Sequence, residues 1–225
     1  MSRQSLAIFD LDGTLLDTSK SICDTLIFTL NELDLPTLAR NQIIETIGMP
    51  LSEILSPLRL PATIEAVVVN RFRELLLVNV QNGVRVFPGA LEFINELVRN
   101  SVNLAVATSK PTLLAKESMK FSTLKSFNFT ILGSDGLKPK PNPEVLLKVM
   151  VQHPNVKSIV MFGDRVEDIL AARAAGIQSV GIAQSAHSMD ELFNAGANLT
   201  FKDFEQVNQS TKRVLDLLKP KHHVP

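Results

Sequence analysis

The apolar run Leu6-Ala7-Ile8-Phe9 breaks off into Asp10-Leu11-Asp12-Gly13-Thr14-Leu15-Leu16-Asp17, and this junction constrains the chain more than any other stretch. A short, continuous apolar run reads as a strand of a parallel sheet buried on both faces. Ligands of open α/β sheets bind outside the carboxyl ends of such strands, at the switch in strand order. The junction therefore places two carboxylates, two residues apart, where an α/β fold keeps its chemistry. Side chains alternate along a strand, so Asp10 and Asp12 start on the same side, and Gly13 permits a tight turn or close approach to a ligand. One acid of such a pair can attack phosphorus while its neighbour exchanges protons with the leaving group and then with water. A lone Asp-Gly would read as an ordinary turn.

Three further segments repeat the pattern of strand end plus polar cluster. Leu104-Ala105-Val106-Ala107 ends in Thr108-Ser109-Lys110-Pro111, where the proline predicts the start of a helix and the hydroxyls can face an anion. Lys138-Pro139-Lys140-Pro141-Asn142-Pro143-Glu144 follows a strand-like Phe127–Leu132 and leads into a helix, with Asn142 as its cap and Pro143 in its first turn. Alone, it would equally suit a stiff extended connector. Ser158-Ile159-Val160-Met161-Phe162 ends in Gly163-Asp164 with Asp168 four residues on, and Gly176 closes an alanine-rich helix.

Together these four segments resemble, in order and spacing, the motifs of the haloacid dehalogenase superfamily of phosphatases and phosphomutases. The resemblance spans most of the chain. It implies an α/β fold, a doubly wound parallel-sheet (Rossmann-like) core of five or more strands, with an inserted α-helical cap domain. It also implies Asp10 as nucleophile, Asp12 as general acid and base, Thr108 as donor to the phosphoryl group, and Lys138 as the cation that offsets charge on nucleophile and phosphate. Lys138 is selected over Lys140 by matching the Lys-Pro-x-Pro form at Lys138. Gly13, Thr14 and Ser109, with Gly48 of the cap loop Thr46-Ile47-Gly48-Met49-Pro50, are implied at the phosphate or substrate. The motifs offer oxygen donors and neither His nor Cys, which suits a hard ion such as Mg2+. By resemblance Asp10, the Asp12 carbonyl and Asp164 hold it, and Asp168 supports the shell directly or through water.

Between the first two motifs the texture changes. Ile22, Leu26, Leu30 and Leu33 recur at helical spacing, as do Ile64, Val67, Val68, Leu75 and Leu76, with Pro36, Pro50, Pro57 and Pro61 between them. This predicts a helical insertion over residues 17–82, with residues 1–16 and 83–225 forming the catalytic core. Five arginines of this region and its border, Arg40, Arg59, Arg71, Arg73 and Arg85, are candidates for a substrate carboxylate, and nothing in the sequence chooses among them.

Lys+Arg and Asp+Glu both number 23, so no global field favours nucleic acid or an acidic membrane. No apolar stretch approaches the roughly 20 residues that span a bilayer, and the chain enters its first strand directly, which predicts a cytoplasmic protein. The single Cys23 excludes an internal disulfide and is expected to pack within a helix. His153, His187, His222 and His223 are too scattered, or too near a tail expected to fray, to form a metal site. The expected partner is a small phosphomonoester, phosphoglycolate-like in the branch most resembled, acted on by a monomer or homodimer. Asp12 argues against dehalogenase chemistry. Ile22, where mutases typically carry a cap histidine, argues against the runner-up, a sugar-phosphate mutase. A non-catalytic regulatory or binding member is the remaining alternative.

Overall fold

The computed structural model describes residues 4–185 and 187–220, so the tail with His222 and His223 lies outside the described residues. The apolar runs become the strands of one parallel sheet: β1 (Ser5–Phe9), β4 (Asn103–Ala107), β5 (Phe129–Leu132), β6 (Ser158–Gly163), β7 (Gln178–Ile182) and β8 (Leu199–Phe201), in the order β5-β4-β1-β6-β7-β8. A two-stranded antiparallel ribbon joins β2 (Leu16–Asp17) to β3 (Arg85–Val86). Between the ribbon strands run α1 (Ser19–Glu32), α2 (Arg40–Thr46), α3 (Leu51–Leu55) and α4 (Ala62–Asn79). The rest alternates with the sheet: α5 (Ala90–Arg99), α6 (Thr112–Lys120), α7 (Glu144–Val151), α8 (Val166–Ala174), α9 (Met189–Asn194), α10 (Phe204–Gln209) and α11 (Thr211–Leu218).

The alternation along β1 divides the core into two layers. Ala7 and Phe9 pack with Val106, Phe162, Phe93 and Phe204 on the side of α5, α10 and α11, where the Phe9 and Phe162 rings stack at 4.7 Å. Leu6 and Ile8 face the other way, against Met161 and the α7 and α8 side chains Leu146, Val149 and Ala172. Both faces are covered, which is why these strands read as continuous apolar runs. First in sequence but central in space, β1 has β4 on one side and β6 on the other, so the strand order switches at its carboxyl end.

The insertion has its own core of Ile22, Cys23, Leu26, Leu30, Ile43, Phe72 and Leu76, with Leu114 contributed by α6. Cys23 is buried, as its helical setting predicts. On α4 the expected face is partly wrong. Val68, Phe72 and Leu76 are buried, whereas Ile64 and Val67 are 40% and 50% exposed. Apolar residues occupy more than one face of that helix, and Ile64 and Val67 lie off the face covered by α1, α3 and α6. Among the described residues no helix is long and apolar enough to cross a membrane.

Candidate active site

Asp10, Thr108 and Asp164 each follow the last residues of neighbouring strands, and this adjacency assembles the site. Asp10 N–H donates to the Phe162 carbonyl at 2.9 Å, carrying the β1–β6 pairing into the first acid, and Thr108 N–H likewise donates to Leu132 at 3.2 Å. Asp168 enters from the first turn of α8, where its Oδ2 accepts the Arg165 N–H at 3.2 Å. Carboxylate oxygens of Asp10, Asp164 and Asp168 lie within 4.8 Å of one another, all from buried residues.

Such a cluster is unfavourable unless a cation joins it. Lys140 supplies one. Its Nζ lies 2.9 Å from Asp10 Oδ1 and bonds Asp168 Oδ1 more closely still. Burial pulls the Lys140 pKa down, but the charges of Asp10 and Asp168 outweigh it and hold the ammonium above its ordinary pKa. The cation does not neutralise the cluster. Burial pushes the Asp10 pKa up to about 6, against the pull of Lys140 and with Asp168 adding to the rise. Burial, then the charges of Asp168 and Asp10, pushes Asp164 up to about 8. Asp10 Oδ2 and Asp164 Oδ2 are buried without a hydrogen-bond partner, while Asp10 Oδ1 meets the Lys140 ammonium. Buried acceptors left bare beside one another are what a hard divalent cation would satisfy, so the donor set fits such an ion. Asp168 has both oxygens engaged, which suits it to orienting Lys140 and the start of α8.

The structure corrects the choice of lysine. Lys138 is exposed and its backbone N–H donates to Glu144 Oε2 at 3.0 Å, while Lys140 is the buried cation beside Asp10. Lys140-Pro141-Asn142-Pro143 is also a Lys-Pro-x-Pro sequence, two residues closer to α7, and that register places its lysine inside. Asn142 does cap the approach to α7, its Oδ1 accepting from Glu144 N–H at 3.1 Å.

Thr14, expected at the phosphate or substrate, uses its hydroxyl within the site. Its Oγ1 donates to Asp164 Oδ1 at 2.6 Å, so it holds a carboxylate. Gly13 N–H donates to the Leu16 carbonyl, and its value is steric. At φ +89 a Cβ there would come 2.6 Å from Asp164 Oδ2, so only glycine lets the Asp12–Thr14 turn reach that acid. Thr108 is buried, its Oγ1 accepting the Lys110 N–H at 3.3 Å. Helix α6 begins at Thr112 behind Pro111 as its cap, later than the proline predicts, leaving Thr108 and Ser109 in the loop before it.

Asp12 occupies a separate environment. Its Oδ1 accepts from Thr18 Oγ1 at 2.8 Å and from Lys110 Nζ at 2.7 Å, so both hydrogen bonds fall on one oxygen. Lys110 and Thr18 stand in the motifs, but only the fold shows them meeting over Asp12. Arg165 is a second residue without a sequence signal. Its Nη1 donates to the carbonyls of Glu45 and Ile47 at 3.2 and 3.0 Å, reaching from the core to the loop after α2. Gly48, at φ +94, lies against it, and a Cβ there would sit 2.7 Å from Arg165 Cδ. Of the five candidate arginines, Arg40, Arg71 and Arg85 pair with Asp24, Glu32 and Asp17. Arg73, on α4, lines the space between insertion and core and has no acidic partner among the described residues.

A model of the haloacid dehalogenase-like hydrolase family matches residues 7–182, a span that includes Asp10, Asp12, Thr108, Lys140, Asp164 and Asp168. The chain belongs to the haloacid dehalogenase-like hydrolases. Within that family it is 34% identical over 221 residues to "Probable phosphatase IndB" of Dickeya dadantii, covering 94% of this chain and 95% of the relative. It is 29% identical over 208 residues to a phosphoglycolate phosphatase of Caulobacter vibrioides, covering 88% and 87%. The crystal structure of a predicted phosphatase from Clostridium acetobutylicum superposes with a TM-score of 0.80 at 26% identity, covering 96% of this chain and all of that one. This haloacid dehalogenase-like hydrolase therefore shares its whole architecture, insertion included, with phosphatase relatives.

Proposed function

We propose that this hydrolase cleaves small phosphomonoesters in two steps through an aspartyl-phosphate on Asp10, with Mg2+ as its ion. The observation that carries the reading is Asp10 itself. It is a buried carboxylate at the switch point of the sheet, with Oδ1 against the Lys140 ammonium at 2.9 Å and Oδ2 without a hydrogen-bond partner. A buried carboxylate with one oxygen left free in this way is a poor structural element and a ready nucleophile.

In the first step an Asp10 oxygen bonds to phosphorus as the bond from phosphorus to the alcohol oxygen breaks, and the departing oxygen takes a proton from the Asp12 carboxyl. In the second, Asp12 removes a proton from water, the water oxygen bonds to phosphorus, and the bond to Asp10 breaks to release phosphate. Lys110 and Thr18 both donate to Asp12 Oδ1, which fixes the side chain and leaves Oδ2 to carry the travelling proton. Lys140 balances the charge of Asp10 as the phosphate approaches, and Thr108 and Ser109 stand at the adjacent strand end to receive its oxygens. Asp10 and Asp164, with the Asp12 carbonyl, would hold Mg2+, which when bound screens the repulsion between two anions and steadies charge in the in-line transfer.

The test is hydrolysis of an aryl phosphate with and without Mg2+, alongside Asp10→Asn. The variant is expected to lose at least about a thousandfold in kcat, as removal of a nucleophile does. A variant turning over at the wild-type rate would remove Asp10 from the mechanism.

A further inference from the structure

A cavity of about 330 Å3 opens between the insertion and the core, directly beside Asp12. Ser109, Lys110 and Ser134 line it on the core side. Its walls are apolar: Ile22, Ile54, Val69, Phe72, Leu76 and Leu114. Besides Asp12 and Lys110, its only charged lining residues are Glu65 and Arg73. Glu65 stands roughly 16 Å along the α4 axis from Leu76 at about 1.5 Å rise per residue.

This lining is poorly matched to glycolate. A two-carbon acid places its carboxylate one carbon from the ester oxygen, beside Asp12, where the lining cation in contact with Asp12 is Lys110, the other, Arg73, being carried on α4 among the apolar walls. That lysine already donates to Asp12 at 2.7 Å. Glycolate would also fill only a small part of the space, which holds on the order of ten waters at about 30 Å3 each. Apolar walls of this extent are stabilised instead by an apolar occupant.

Resting on the phosphatase reading above, we infer that the preferred substrate is a phosphomonoester whose alcohol is borne on a flat apolar body, aromatic or heteroaromatic in size. The ester oxygen lies at Asp12 and the ring against Val69, Phe72 and Leu114. Val69 is the residue to probe, because it lines the cavity yet is only half-buried and sits at the edge of the insertion's core.

Calorimetry in magnesium buffer with two inert probes, methylphosphonate and benzylphosphonate, tests this without turnover. The wild-type protein is expected to bind the benzyl compound at least about tenfold more tightly, a fraction of what full burial of a ring supplies. Val69→Asp should abolish that preference, and Val69→Ser, milder for folding, should reduce it in the same direction. In turnover, phenyl phosphate should exceed phosphoglycolate in kcat/KM by at least about tenfold. Equal binding of the two phosphonates, no binding of either, or a benzyl preference that survives both substitutions overturns the inference, as does preferential turnover of phosphoglycolate. Benzylphosphonate binding that depends on Val69 in a protein that hydrolyses no ester would retain the cavity reading and refute the phosphatase one.

Discussion

Asp164→Asn should stabilise the ion-free protein, and by an amount that grows with pH. The Asp164 carboxyl is pushed from the ordinary 3.8 up to about 8 by burial and by the charges of Asp168 and Asp10. A carboxyl whose folded pKa lies above its unfolded value binds more protons in the folded state. Its contribution to stability therefore falls as pH rises from about 4 toward about 8. At about 1.4 kcal/mol per pH unit, the loss between pH 4 and pH 7 amounts to at most about 4 kcal/mol. Asn keeps an acceptor for the Thr14 hydroxyl, which donates at 2.6 Å, and carries no charge. Removing one acid also relieves Asp10, so the three groups share the effect and a gain of about 2 kcal/mol near pH 7 is expected. For a chain of this size that is roughly 4–8 °C in Tm. With no Trp and no Tyr in the sequence, urea unfolding is best followed by far-ultraviolet circular dichroism, in chelator, near pH 5 and near pH 7.5. Magnesium should then raise the wild-type Tm and leave that of the variant nearly unmoved. An Asn variant no more stable than wild type near pH 7.5, or a gain equal at both pH values, would refute the account of a strained acidic cluster.

Two further outcomes follow from the site. Lys140→Met should lower kcat by about a hundredfold or more, the scale of losing a charge aimed at the reacting group, while Lys138→Met should stay within about threefold, because Lys138 is exposed; steady-state kinetics of the two variants checks the register directly. Gly48→Ala should raise KM and quicken proteolysis of the insertion, since its Cβ would lie 2.7 Å from Arg165 Cδ at a backbone φ of +94, whereas a variant with unchanged KM and cleavage rate would show that the Arg165 contact does not restrain the insertion.

What the sequence made legible was local. The ends of β1, β4 and β6 could be read because each couples an apolar run to polar residues beside it in the chain, so Asp10, Thr108 and Asp164 required no tertiary information. The ribbon of β2 and β3 could not be read, since its two-residue strands exist only through pairing at a distance. Lys138 and Lys140 begin overlapping Lys-Pro-x-Pro sequences, and composition cannot say which lysine the loop turns inward. Burial decides it. The contacts of Arg165 and Lys110 carried no signal because their partners, Ile47 and Asp12, are 118 and 98 positions away. Arg73 became distinguishable from the other candidate arginines only in space, where Arg40, Arg71 and Arg85 find acidic partners and Arg73, unlike Arg59, lines the cavity.

Arg165 directly follows Asp164, so one peptide bond joins an acid of the buried cluster to the guanidinium that grips the insertion. Its hydrogen bonds to the Glu45 and Ile47 carbonyls therefore tie the end of α2 to the turn that carries Asp164. The grip on the insertion and an acid of the buried cluster are thus adjacent links of one chain, so a substitution that repositions residues 45–48 is transmitted to the cluster through a single peptide unit.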